Sequence, residues 1–127
     1  MIRIGLIFLG GGVGSLLRFL VTGWVQRLSP PVLPFGTLAV NVTGCAVIGF
    51  LATLFAGPVM IREEYRTAIL VGVLGGFTTF SSYAWETLQL SDDRQWWLAL
   101  ANVVASNVLG LTCAWLGARL ATRIYGS

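Results

Sequence analysis

The stretch Gly72-Val73-Leu74-Gly75-Gly76-Phe77-Thr78-Thr79-Phe80-Ser81-Ser82-Tyr83 lies inside an uncharged segment bounded by Arg66 and Glu86. A segment of roughly 20 apolar residues crosses the hydrocarbon core of a bilayer as a helix. This one carries two adjacent glycines at its centre, followed by four hydroxyl residues within five positions. Glycine weakens a helix, and Ser and Thr offer the backbone competing hydrogen bonds. The run therefore predicts a break near the middle of a membrane span. Unpaired backbone at that depth is tolerated only inside protein or beside water. Broken helices at the midplane are where membrane transporters place ions, and freed carbonyls suit a hard cation such as Na⁺. The alternative is an intact helix whose hydroxyls bond to the preceding turn.

The remainder of the chain sets this stretch in a membrane. Apolar residues make up 56% of the 127 residues and charged residues only 10%. A soluble domain averages about 25% charged residues, so a soluble enzyme and a disordered chain are both excluded. The length suits one domain. Uncharged stretches between Arg27 and Arg62, and between Arg94 and Arg119, supply two further spans. The first span follows Arg3 and contains Arg18. The four spans are expected at about 4–26, 35–56, 66–90 and 96–122, with Gly57-Pro58 ending the second. The apolar run Ile4–Leu9 is short and lacks a small-x-small cleavage pattern, so no signal peptide is expected.

Trp24, Tyr65, Trp96, Trp97 and Tyr125 fall near span ends, where amphipathic rings favour the headgroup level. The side holding both termini and the Pro58–Tyr65 loop carries Arg3, Arg62, Arg66, Arg119 and Arg123, against Arg27 and Arg94 opposite. That bias favours cytoplasmic termini.

The side-chain inventory narrows the chemistry. There is no His, which removes His-based metal sites, Ser-His-Asp triads and His proton shuttles. Cys45 and Cys113 lie in apolar runs and read as packing residues. The net charge of +3 comes from scattered arginines, a poor footprint for nucleic acid. At 100° per residue each span has one small-and-polar stripe. These are Gly10, Gly14 and Arg18 in the first span and Thr37, Asn41, Gly44 and Cys45 in the second. The fourth carries Ala99, Asn102, Ser106, Gly110, Cys113 and Gly117. Small residues let helix backbones approach, and Gly10-xxx-Gly14 and Gly72-xxx-Gly76 have that spacing. For Asn41, Asn102 and Ser106 a wet pathway and interhelical hydrogen bonding both remain open. Arg18 either sits deep and attracts an anion or snorkels to the interface. Glu86 either ends the third span or serves as a polar partner at a pore mouth. Phe80 and Tyr83 are three apart and project to one side if locally helical. Their positive ring edges can hold an anion without a full charge.

With these residues in view, the chain resembles the CrcB/Fluc family of small four-span bacterial fluoride channels. The likeness rests on Gly-Gly-x-Val-Gly with Leu17-Arg18, on Gly36-Thr37-Leu38-x-Val40-Asn41, and on Gly75 through Ser82 with Glu86. It covers essentially the full length. The resemblance implies an all-α integral membrane protein of the bacterial cytoplasmic (inner) membrane, with its third helix broken mid-span. It implies an antiparallel, dual-topology homodimer with two passive fluoride pathways along the subunit interface. A structural, untransported Na⁺ is implied on the backbone carbonyls of Gly75 and Thr78 from both subunits. The implied anion pathway comprises Asn41, the aromatic pair Phe80 and Tyr83, the hydroxyls of Thr79, Ser82 and Ser106, and Arg18 and Glu86. The second aromatic is usually Phe in that family, and Tyr83 departs from this.

Two rival classes share the four-span form. A small multidrug exporter needs a carboxylate in its first span, where this chain has Arg18 and no acid. A non-transporting assembly subunit needs only the packing stripes and differs in passing no fluoride.

Overall fold

The computed structural model describes residues 1–57 and 59–126, so the proline of the Gly57-Pro58 stop lies outside the described residues. The chain runs α1 (Ile2–Leu28), α2 (Phe35–Ala56), α3 (Glu63–Thr67), a π-helical stretch (Ala68–Val73), α4 (Leu74–Phe77), α5 (Phe80–Asp92) and α6 (Trp96–Tyr125). Among the described residues there is no strand. Four helical units, Ile2–Leu28, Phe35–Ala56, Glu63–Asp92 and Trp96–Tyr125, are long and apolar enough to cross a membrane. At about 1.5 Å per residue they measure about 33 to 45 Å, more than the roughly 30 Å hydrocarbon core. The second unit begins and ends at the expected residues. The other three overrun their expected bounds by two or three residues at most ends.

The elements meet through small residues. A Cβ added at Gly10 would lie 2.7 Å from the Ala68 carbonyl oxygen, and one at Gly14 would lie 2.8 Å from the Phe77 amide nitrogen. Gly72 and Gly76 face α1 in the same way, against the Ile7 and Gly11 backbone. The two glycine pairs read from the sequence thus form one seam between α1 and the third unit. α2 packs most extensively on α6. There Gly49 abuts the Ala114 carbonyl and Gly117 abuts the Ala46 carbonyl. Close backbone approach supplies the dispersion contacts that drive helix association where lipid removes the hydrophobic drive.

The interior is correspondingly thin. Val40 is the largest fully buried side chain, and Thr37, Thr79 and Asn102 are buried with it. Phe8, Phe19, Trp97 and Leu111 stand on the outside. This is the inverse of a soluble fold, and it suits a chain whose exterior meets lipid or another apolar surface.

Polar side chains close the ends. Pro34 precedes α2 and gives it no side-chain cap. Gln26 takes over that role. Its Oε1 accepts from the Gly36 amide at 3.1 Å, and its Nε2 donates to the Leu33 carbonyl at 3.3 Å. At the terminal side, Arg3 pairs with Glu63 at 3.1 Å and Arg62 with Glu64 at 3.3 Å. The aromatic residues assigned to span ends, Trp24, Tyr65, Trp96, Trp97 and Tyr125, are all exposed.

Candidate functional site

The backbone leaves helical geometry at two consecutive residues. α4 ends at Phe77, Thr78 is extended (φ −81°, ψ 158°), Thr79 is extended (φ −151°, ψ 112°), and α5 begins at Phe80. Backbone groups that the interruption removes from the helical ladder need partners elsewhere. The Thr79 amide donates to Asn41 Oδ1 at 2.7 Å, while Asn41 Nδ2 donates to the Thr79 carbonyl at 2.9 Å. The Asn41 carboxamide therefore exchanges two bonds with one residue's backbone, as a neighbouring strand would. The Thr79 hydroxyl caps α5 by accepting from the Ser82 amide at 3.2 Å, and it lies 3.0 Å from the Ser82 hydroxyl. Thr78 behaves differently, because its hydroxyl donates back to the Leu74 carbonyl at 2.9 Å.

Two grooves meet at Thr79. The first, about 340 Å³, is lined by Asn41, Gly75, Thr78, Phe80, Tyr83 and Ser106 among others. With Thr79, its walls bring together seven of the expected site residues. Phe80 and Tyr83 lie side by side, with ring centroids 5.3 Å apart and planes tilted by 54°. Phe80 is 78% exposed, so its ring stands at the groove mouth and is not packed in a core. The second groove is lined by Arg18, Thr37, Thr79, Ser82 and Glu86. Arg18 turns inward, its Nη1 lying 3.4 Å from the Thr78 carbonyl oxygen. Arg18 and Glu86 share this groove without forming an ion pair among the described residues. Glu86 Oε1 accepts from the Thr37 hydroxyl at 2.6 Å, whereas its Oε2 is buried without a hydrogen-bond partner among the described residues.

The expected site residues thus divide between two compartments. Asn41, Gly75, Thr78, Phe80, Tyr83 and Ser106 occupy one, and Arg18, Ser82 and Glu86 the other, with Thr79 on both.

Several residues that enter this architecture carried no assigned role in the sequence. Thr37 stands on the polar stripe of the second span, but its partner Glu86 is 49 positions away. Asn107 Nδ2 donates to the Val103 carbonyl at 2.8 Å and lies 3.4 Å from the Tyr83 hydroxyl. It is off the stripe of its helix, and no pattern marks it. Asn102, placed on that stripe, donates to the Thr87 hydroxyl at 2.8 Å, and Thr87 donates to the Tyr83 carbonyl at 2.7 Å. Asn102 thus makes an interhelical hydrogen bond between α6 and α5.

A family sequence model described as CrcB-like protein, Camphor Resistance (CrcB), matches residues 5–118. The chain belongs to the CrcB family. Among relatives, a protein of Solibacter usitatus named fluoride-specific ion channel FluC is 44% identical over 118 residues, covering 93% of this chain and 97% of that one. Proteins of the same name from Opitutus terrae and Paramagnetospirillum magneticum are 48% and 42% identical over 113 and 126 residues. They cover 87% and 98% of this chain, and 86% and 98% of their own lengths. The CrcB match spans all four helical units, so both grooves lie on matched sequence.

Proposed function

We propose that this CrcB-family chain is a passive, fluoride-selective channel of the bacterial inner membrane, formed by two antiparallel copies with a fluoride pathway on each side of their interface. The observation that carries the reading is the first groove. It sets the edge-bearing ring pair Phe80 and Tyr83 beside the Asn41 amide and the Ser106 hydroxyl, at the two extended residues, in a chain whose relatives are named fluoride-specific ion channels. On this reading the interruption of the third span lies near mid-membrane, since Thr78 and Thr79 fall midway along Glu63–Asp92.

Fluoride is the most strongly hydrated halide, so a pathway must replace its water by many closely spaced weak donors. Hydroxyl and amide hydrogens and ring edges are such donors. One Asn41 Nδ2 hydrogen is held by Thr79, which leaves the second for the groove. Thr79 and Ser82 carry hydroxyls at the meeting of the two grooves, and Arg18 makes the second groove attractive to anions from a distance. Export of cytoplasmic fluoride is then driven by the membrane potential, about 2.3 kcal/mol per charge per 100 mV.

A central Na⁺ belongs to the same reading. The chemistry of the Gly75 and Thr78 carbonyls suits it, since hard cations take oxygen donors. Two carbonyls from one chain are half a set, and a second copy would complete four. Bound there, the ion would hold the two copies together without being carried. Arg18 faces the Thr78 carbonyl and competes for it, so Gly75 is the better placed of the two donors.

Fluoride efflux from loaded liposomes, read with a fluoride electrode, tests the function. Fast efflux with the protein present, and chloride retained, is expected. Liposomes that hold their fluoride would leave only the assembly-subunit reading.

A further inference from the structure

We infer that Asn41 is a positioning residue for the proposed cation site, because it captures the amide that would otherwise close on the Gly75 carbonyl. The inference rests on the cation reading above and adds what makes the donors available. In an unbroken α-helix each amide bonds the carbonyl four residues back. The Thr78 amide obeys that rule and donates to the Leu74 carbonyl at 3.0 Å. The next amide, on Thr79, would reach Gly75, yet it donates to Asn41 Oδ1 at 2.7 Å. Three residues on, the Ser82 amide would reach Thr78, yet it donates to the Thr79 hydroxyl at 3.2 Å. The two carbonyls assigned to the cation are thus the two whose helical donors a side chain has taken. The Asn41 bond is the shorter, and its reciprocal bond to the Thr79 carbonyl fixes the extended geometry that keeps the amide away. Gly75 itself is exposed on the first groove, with open space where a side chain would stand, so a second chain can approach its backbone.

Fluoride flux does not test this, because Asn41 also lines the groove. The test is thermal unfolding of the purified full-length protein in detergent, with NaCl titrated against the chloride of a bulky organic cation. A ligand that binds only the folded state raises its melting temperature with concentration. The wild-type chain is expected to melt higher as Na⁺ rises. In Asn41→Leu the Thr79 amide is released to Gly75, and the sodium concentration needed for half of that rise is expected to increase at least about tenfold, the loss expected when a carbonyl donor is taken up. Asn41→Asp retains an acceptor for the Thr79 amide and is expected to keep the sodium response, which leaves a readable variant if Asn41→Leu does not fold. An Asn41→Leu protein with lowered melting and unchanged sodium dependence would overturn the inference alone, and so would an Asn41→Asp protein with no sodium dependence. A wild-type protein indifferent to sodium would overturn the cation reading and this inference with it.

Discussion

Replacing Gly14 by Ala probes the seam that sets the height of the third helical unit. The new methyl carbon would lie 2.8 Å from the Phe77 amide nitrogen and closer still to the Val73 carbonyl oxygen. Non-bonded carbon contacts settle at about 3.5 to 4.0 Å, so α1 and the third unit must part by roughly 1 Å there. Neither neighbour is a flexible side chain, so the backbones themselves must move. Overpacking of this kind costs about 1 to 3 kcal/mol. Gly12 is the internal control. It stands two residues earlier on another face of α1, and a Cβ there meets nothing within 4 Å. Gly12→Ala should gain the helix propensity of Ala, up to about 1 kcal/mol, with no steric cost. Gly14→Ala gains the same propensity, so the two variants should differ by the overpacking cost alone, about 1 to 3 kcal/mol, in the direction that destabilises Gly14→Ala. Denaturant titration followed by tryptophan fluorescence reads the difference. Equal stabilities, or a more stable Gly14→Ala, would refute the close-contact reasoning. A destabilised Gly12→Ala would refute the open space found at its Cβ position.

Phe80→Ile removes the ring edge at the groove mouth, and since Phe80 is 78% exposed, efflux should fall by at least tenfold while the fold persists; unchanged efflux in liposomes would take Phe80 out of the pathway. Thr37→Val removes the 2.6 Å bond to Glu86 Oε1 and leaves that carboxyl without its recorded donor, at a cost of about 1.5 to 3 kcal/mol. Chemical denaturation reads it, and a loss equal to that of Thr43→Val, whose hydroxyl bonds only its own helix, would show the pair to be worth nothing. A single cysteine at Val32, in the exposed loop between α1 and α2, should be labelled from both sides of the membrane when Cys45 and Cys113 are replaced by Ala; labelling from one side only would sink the antiparallel assembly.

The four membrane-length helices were legible because charge spacing marks where hydrocarbon begins and ends. The helix ends were less so. α1 starts at Ile2 and α6 runs to Tyr125, since a helix continues past the apolar core into the headgroups, and hydropathy reads only the core. The stripes also carried information. Gly10, Gly14, Thr37, Gly44, Ala99, Asn102, Gly110 and Gly117 are all buried. The π-helical stretch Ala68–Val73 left no trace in its residue types, although it packs on the α1 glycines. Pairings across the chain were equally silent. Asn41 with Thr79, Thr37 with Glu86 and Asn107 with Tyr83 join residues 38, 49 and 24 positions apart. A polar residue on a stripe can be recognised from its own helix, but its partner depends on how two helices slide past each other. So the sequence leaves Asn41 open between a wet pathway and an interhelical hydrogen bond, and only the assembled helices reveal its two bonds to Thr79.

The hydrogen-bond inventory at Thr78 and Thr79 also bears on the proposed second copy. Three donors there have partners within the chain, the Thr78, Thr79 and Ser82 amides. Acceptors are not matched in the same way, since the Gly75 carbonyl has lost its helical donor and the Thr78 carbonyl has only the 3.4 Å approach of Arg18. Buried in hydrocarbon, an unpaired backbone carbonyl costs several kcal/mol. Gly75 is exposed and shares its groove with the exposed Phe80, so a single chain in lipid would present this polar seam directly to acyl tails. A second copy would remove that cost by covering the groove with another protein surface, and its own carbonyls would face the same gap if the pair were two-fold symmetric. Four oxygens with no hydrogen to share repel one another, so covering the seam creates a demand for positive charge at its centre. In the proposed channel the anion would be served by the other half of the inventory: the spare Asn41 hydrogen, the hydroxyls and the ring edges. One interruption of one helix thereby separates acceptors from donors, which is what a site for a fixed cation beside a path for a mobile anion requires.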